Sequence, residues 1–215
     1  MNPFQLIIKA LVWLSISFSL MFSPSAPAPK LGPDFSAHAA MHQISMSNAA
    51  FGDGCSATAI GPHALLTAAH CDLGTNKVSI DDLKIKNAVI VDKQFDDNDH
   101  MILILKDVTF DNFAEISQRE LIPGEVLYNW GNPGHAHDVF RIGYVMKNED
   151  YLGADDVKHH GFRLQLPIYP GDSGSAVLDK DGKIVTVCSL GNNSAESEDF
   201  VLQFSPEQLK EAAAK

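Results

Sequence analysis

Basic side chains are in the minority in this 215-residue chain: 16 Lys and Arg stand against 27 Asp and Glu, a formal net charge of -11. Nucleic acid selects basic faces, so it is excluded as a partner. Acidity of this size favours solubility but names no partner. Charge is sparse overall, 20% of residues against 45% hydrophobic, which excludes wholesale disorder and leaves enough apolar side chains for a sizeable core. The length suits one domain, or two small lobes in one body. No internal repeat or low-complexity tract occurs, and no βαβ rhythm.

A long membrane span is missing too. The uncharged run ALVWLSISFSLMF covers only thirteen residues, Ala10 to Phe22, after Lys9. That length suits the apolar region of a signal peptide and is short for a transmembrane helix. Residues 1–25 therefore read as a signal peptide, with an uncleaved anchor through residues 4–22 as the alternative and a membrane tether as its consequence. Ala26-Pro27-Ala28 and Ala37-His38-Ala39 both have the small-x-small form of a cleavage site. Residues 26–45 read as a linker or pro-segment. Export to a secreted, periplasmic or extracellular location is the expectation.

Cysteine is scarce and odd in number, at three. Cys55 and Cys71 flank two apolar runs joined by Gly61-Pro62-His63, a hairpin pattern that brings its ends together and allows a disulfide in an oxidising compartment. Cys188 is left over in IVTVCSL, where a buried, inert thiol is expected because nothing nearby lowers its pKa.

Short strand-like runs recur every 8–15 residues, from SATAI and ALLTA to KIVTVCSL and FVLQF, separated by turn residues such as Pro123-Gly124 and Asp181-Gly182. VFRIGYVM alternates, with Val139, Arg141, Gly143 and Val145 on one side and Phe140, Ile142, Tyr144 and Met146 on the other. Many short strands with such punctuation predict an all-β, antiparallel sandwich or barrel. One helix is expected at about 205–214, since Ser205-Pro206-Glu207-Gln208 forms a capping box with proline at the first helical position.

Two stretches carry chemistry. His70 ends an apolar run in TAAHC, and Ser173 sits in Gly-Asp-Ser-Gly. Acyl transfer needs an exposed hydroxyl and N–H donors aimed at the developing oxyanion, and Gly171 has the backbone freedom to aim its own N–H beside that of Ser173. Gly174 would keep the approach to Ser173 open. Serine also needs a base, for which His70 is the candidate, and a third group to orient the ring. FDDNDHMILIL offers Asp96, Asp97 and Asp99 just before a buried strand, with Asp99 the first choice and Asp97 or Asp96 the substitutes.

TAAHC at 67–71, NDHMILILK at 98–106 and GDSGSAV at 171–177 resemble the three signature blocks of the chymotrypsin-fold, trypsin-like (PA clan) serine peptidases, in the same order. The likeness spans about residues 46–212. YNWGNPGHAHDVFRIGYVM is closer to the compact HtrA-like relatives, here without a PDZ module after Lys215. The resemblance implies two antiparallel six-stranded β-barrels, barrel 1 at about 46–118 and barrel 2 at about 119–204. It implies an exported serine endopeptidase in which Ala68-Ala69 turn tightly to hold His70 over Ser173. His70 would be the base, Asp99 the orienter and Ser173 the nucleophile, with an oxyanion hole of the Gly171 and Ser173 N–H groups. Cys55–Cys71 would match the disulfide closing the histidine loop, and Ser189, Leu190 and Gly191 would pair with the substrate backbone. The partner is a protein or peptide substrate.

Two further absences qualify this picture. No Arg/Lys-Ile-Val-Gly-Gly occurs near the start, so no freed amine is available to pair with Asp172, and the oxyanion hole must be ordered otherwise. Pro167 stands where a trypsin-like pocket would carry its acid, so a medium or large apolar side chain is expected in preference to Lys or Arg. No metal or cofactor is expected: His135, His137, His159 and His160 read as loop histidines, and Asp92, Asp96, Asp97 and Asp99 as a solvated loop rather than a calcium site. Trp130 and Tyr128 read as strand packing. The rival reading is a catalytically silent chymotrypsin-fold protein that binds a peptide or protein partner.

Overall fold

The computed structural model describes residues 34–46, 54–134, 136–152, 158–191 and 196–214. The candidate signal or anchor segment, the Ala26-Pro27-Ala28 motif and His135 lie outside them. Among the described residues no helix is long and apolar enough to cross a membrane.

Six antiparallel strands close a barrel in the order β1-β2-β3-β6-β5-β4: β1 (Met41–Ser45), β2 (Cys55–Gly61), β3 (Ala64–Ala68), β4 (Lys77–Ile80), β5 (Ile85–Phe95) and β6 (His100–Lys106). β1 pairs with β4 through Ile44 and Ile80, which completes the closure. The domain thus begins earlier than the linker assignment of 26–45 allows. MHQIS escapes sequence notice because His42 occupies an inward position; it is buried with its Nδ1 2.8 Å from Asp82 Oδ2. The preceding turn Ser36–Ala40 contains the second small-x-small motif and buries Ala37 and Ala40.

ALLTA in β3 is buried at every position, and HMILIL in β6 is buried throughout. Unbroken apolar runs of this kind mark strands covered on both faces. Leu65, Leu66, Ile102, Leu103 and Ile104 join Leu178, Ile184, Leu202 and Phe204 from the second half of the chain in one core. Burial at this density positions the ends of β3 and β6, where the candidate site lies.

The second lobe is a seven-stranded sheet in the order β11-β10-β7-β8-β9-β13-β12, with β7 (Val126–Gly131), β8 (Val139–Leu152), β9 (Lys158–Gln165), β10 (Ala176–Leu178), β11 (Ile184–Val187), β12 (Leu190–Gly191) and β13 (Ser197–Phe200). It curls on itself: Thr186 Oγ1 of β11 donates to Phe200 O of β13 at 2.7 Å. FVLQF contributes only Phe200 to a strand. The backbone of residues 202–204 bonds to side chains instead, Gln118 Nε2 donating to Leu202 O and Phe204 O, and Gln203 N donating to Asp96 Oδ2.

The VFRIGYVM alternation is real, yet its apolar side faces out. Phe140, Ile142, Tyr144 and Met146 are exposed, while Gly143 and Val145 are buried and the Arg141 side chain is almost entirely so. Tyr128 and Trp130 of β7 meet Phe35 of the N-terminal segment edge-on, and pack with Phe140 in a stacked and a tilted contact respectively.

The helix α1 (Pro206–Ala214) starts as expected. Gln208 N donates to Ser205 Oγ at 3.1 Å and Ser205 N donates to Gln208 Oε1 at 2.8 Å, both halves of a capping box. Its Ala212 is buried against Gly61 of β2, where a Cβ would lie 2.0 Å from Ala212 O.

Candidate active site

β3 and β6 are neighbours, and their register pairs Ala68 with His100. The residue two places after Ala68 and the residue just before His100 are therefore forced together. They are His70, in the short turn Ala69–Cys71, and Asp99. Ala69 N donates to Asp99 O at 3.1 Å, His70 N donates to Asp99 Oδ1 at 2.8 Å, and His70 Nδ1 lies 2.6 Å from Asp99 Oδ2. The hydrogen bond to Asp99 raises the His70 pKa above 6.5, outweighing burial, which lowers it. For Asp99 burial is the largest influence and pushes the pKa up, yet the bonds and charge of His70 together bring it below 3.8.

Asp96 does not compete for that role. Its carboxylate is fully buried and takes the neighbouring His100 ring, 2.6 Å from Nδ1, together with the N–H groups of Asn98 and Gln203. The aspartate cluster is therefore only partly a solvated loop. Asp97, the other substitute, is exposed beside it.

Ser173 arrives from the other lobe, in the loop between β9 and β10. Ser56, at the start of β2, holds that loop to the barrel. Its N–H donates to Ser173 O at 2.8 Å, its hydroxyl donates to Gly171 O at 2.9 Å, and it accepts from Asn132 Nδ2 at 3.0 Å. Thr67, three residues before His70, donates to Ser56 O at 2.8 Å. His70 and Ser173 thus line one cavity of about 520 Å³, with Cys55, Cys71, Ile168, Tyr169, Gly171, Ser189 and Leu190. Among the described residues no hydrogen bond joins Ser173 Oγ to His70.

The glycines of Gly-Asp-Ser-Gly have separate reasons. Gly171 has φ +100°, and a Cβ there would lie 2.4 Å from Asn132 O. Gly174 has φ +82° and presses on the histidine-bearing strand, where a Cβ would meet Thr67 Oγ1 at 2.2 Å and Ser56 O at 2.3 Å. Close packing between lobes, rather than open access to Ser173, explains that second glycine.

Backbone orientation is set on both sides of Asp172. Pro170 O accepts from Gly134 N at 2.7 Å, and a trans peptide then turns the Gly171 N–H the opposite way. Asp172 O accepts from Ser175 N at 2.8 Å, which fixes the Ser173 N–H similarly. The adjacent amides of Asp172 and Gly174 are consumed by Tyr169 O and Cys188 O.

Asp172 is wholly buried and bonds to Arg141 through both oxygens, Nη2–Oδ2 at 3.0 Å and Nη1–Oδ1 at 3.2 Å, with Tyr169 N on Oδ2 at 2.8 Å. Burial raises the Asp172 pKa; the Tyr169 N–H and then the guanidinium oppose it. Arg141 and Ser56 are among the site residues that sequence reasoning missed. Each left a signal: a lone cation within the alternation of β8, and a hydroxyl beside Cys55 at the head of an apolar strand.

Cys55 and Cys71 are disulfide-bonded, and Cys188 is free and buried, its thiol pushed well above its ordinary pKa mainly by desolvation. Ser189 and Leu190 line the cavity and Gly191 continues the strand, but Pro167 does not reach the lining; its neighbours Ile168 and Tyr169 do. His159 and His160 lie on β9 rather than in a loop, with Nδ1 bonded to Asn98 Oδ1 and Asp150 Oδ1 respectively, each at 2.9 Å.

A family model described as "Trypsin-like peptidase domain" matches residues 55–187. No curated protein sequence matches the chain. Among solved structures, the inactive form of the Rv3671c protease superposes with a TM-score of 0.67 at 17% identity, covering 86% of this chain and 98% of that one. The active form of the Rv3671c protease from M. tuberculosis gives 0.64 at 18% identity, over 90% and 93%. A serine endoprotease from Yersinia pestis gives 0.63 at 16% identity, over 84% of this chain and 65% of that one. At these identities the structural likeness concerns the fold.

Proposed function

The chain belongs to the trypsin-like peptidase family and is a serine endopeptidase, and from that premise we propose that it cleaves peptide bonds with Ser173, His70 and Asp99 as its triad. The observation that carries this reading is the His70 Nδ1–Asp99 Oδ2 bond of 2.6 Å on a ring that shares a cavity with Ser173.

Asp99 holds the Nδ1–H tautomer, which leaves Nε2 as the basic nitrogen. Ser173 Oγ attacks the substrate carbonyl while Nε2 takes its proton, and the tetrahedral oxyanion is met by the Gly171 and Ser173 N–H groups. Nε2 then returns the proton to the leaving amine, giving an acyl-enzyme that water hydrolyses by the same proton route. Serine–base contacts commonly tighten only when substrate is bound. The buried Arg141–Asp172 pair supports an oxyanion loop ordered without a freed N-terminal amine. The open edge of β12 suits substrate addition as a strand, and the Ile168, Tyr169 and Leu190 lining suits an apolar side chain before the cleaved bond.

The enzyme is exported, with residues 1–25 as signal or anchor; the Cys55–Cys71 disulfide supports an oxidising compartment. N-terminal sequencing of the protein recovered from its natural host separates cleavage from anchoring.

A fluorophosphonate probe tests the catalytic reading. Labelling of the parent but not of Ser173→Ala, with at least a hundredfold slower labelling of His70→Ala, is expected. A folded parent that fails to label would instead favour the silent, peptide-binding relative.

A further inference from the structure

A second cavity, of about 410 Å³, also has His70 in its lining. It shares His70, Ser189 and Leu190 with the first, and is completed by Asp97, Asn98, Asp99, His159 and Phe200. β12 is an end strand of the sheet among the described residues, and a peptide strand added to it alternates its side chains, so consecutive residues enter the two cavities in turn. If the residue whose carbonyl is attacked uses the first, the residue before it uses the second. Leu190 and Phe200 offer this position an apolar wall. Its lining also carries carboxylates, Asp99 already committed to His70 and Asp97 exposed with no described hydrogen-bond donor. Asn98 is tied down, its Nδ2 donating to Val201 O at 2.6 Å and its Oδ1 bonded to His159 Nδ1, so the loop presents Asp97 from a fixed base.

Resting on the peptidase reading, we infer that Asp97 makes this cavity select a long cationic side chain, lysine or arginine, immediately before the residue at the cleaved bond. An apolar stem lies along Leu190 and Phe200 while the charged head reaches Asp97. An exposed ion pair is weak, so the expected preference is modest, about two- to fivefold. A glutamate in the same place meets two carboxylates and is disfavoured further.

The test uses fluorogenic peptides identical except at that position, carrying Lys, Arg, Gln or Glu, and compares kcat/KM ratios within each protein. The parent is expected to rank Lys and Arg above Gln by about two- to fivefold and Glu last, with the spread shrinking as salt rises. Asp97→Asn should bring the Lys-to-Gln ratio near one, and Asp97→Lys should place Glu above Lys. A parent ratio near one, or one that survives Asp97→Asn, overturns the inference. No cleavage of any peptide, with no probe labelling, is a failure of the peptidase reading and is thereby distinguished.

Discussion

Arg141 and Asp172 form a two-pronged ion pair inside the second lobe, Nη2–Oδ2 at 3.0 Å and Nη1–Oδ1 at 3.2 Å. A buried pair of this kind contributes little net stability over an apolar replacement, but removing one partner strands a charge at a cost of about 3–5 kcal/mol. Arg141→Met should therefore lower the urea midpoint by that equivalent and abolish probe labelling. Arg141→Met with Asp172→Asn should recover much of the stability without the labelling. If, as proposed, the guanidinium takes the part of a freed amine, acetylating the N-terminus of the parent should leave labelling intact; loss of labelling on acetylation would contradict the internal role of Arg141.

The pH dependence follows from the His70–Asp99 bond. That bond raises the pKa of His70 above 6.5, and in the proposed mechanism the ring must be unprotonated to accept the Ser173 proton. Activity should therefore rise with pH through a midpoint above 6.5. Asp99→Asn should move the midpoint down and cut kcat by about 10⁴, mostly by releasing the wrong tautomer. A midpoint that stays put in Asp99→Asn would take Asp99 out of the mechanism.

Stability should depend on pH through a different acid. Asp199 of β13 is buried, with Ser189 N and Ser197 Oγ donating to its two oxygens at 2.8 and 2.7 Å. Desolvation outweighs those bonds and pushes its pKa up from 3.8 to about 7. Between those values the folded state alone holds the proton, so stability falls as pH rises across the window. Denaturant midpoints at intervals from pH 4 to 8 should show that fall in the parent and a shallower one in Asp199→Asn.

How much of this was legible in the chain depends on the range of the interactions. His70, Asp99 and Ser173 stood out because each sits in a local block whose spacing has a chemical reason. The capping box of α1 is likewise local, and it forms as expected. The start of the domain did not read correctly, because β1 is specified by its neighbours β2 and β4 and by the buried His42–Asp82 contact, none of which is adjacent in sequence. Which face of β8 points outward was not legible, for a related reason. Alternation fixes two sides but not which is buried, and Asp172 draws the Arg141 side inward. Ser56 and Arg141 act across more than 30 residues, Arg141 on Asp172 and Ser56 on Gly171.

The backbone of the nucleophile loop gives a sharper test than its side chains. Gly171→Ala forces a Cβ against Asn132 O at a position whose φ of +100° already disfavours it. The loop must shift, and the Gly171 N–H shifts with it. Loss of one oxyanion donor costs about 10²–10³ in kcat, with KM little changed. A comparable rise in KM would point to damage in the substrate strand instead.

Ser56 provides the last prediction, since it joins the two halves of the site without touching substrate. Ser56→Ala keeps the backbone bond to Ser173 O but removes the hydroxyl between Gly171 O and Asn132 Nδ2. The buried Asn132 amide and the part-buried Gly171 carbonyl lose their partner, at about 1–3 kcal/mol. If the hydroxyl only glues the lobes together, stability falls and the labelling rate of the folded fraction does not. If it also sets the height of Gly171, labelling slows by about tenfold at temperatures far below unfolding, which corresponds to about 1.4 kcal/mol in the transition state. The second outcome is expected, because its Gly171 carbonyl partner belongs to the residue whose N–H is proposed to face the developing oxyanion. Measuring both quantities on one preparation separates the two contributions.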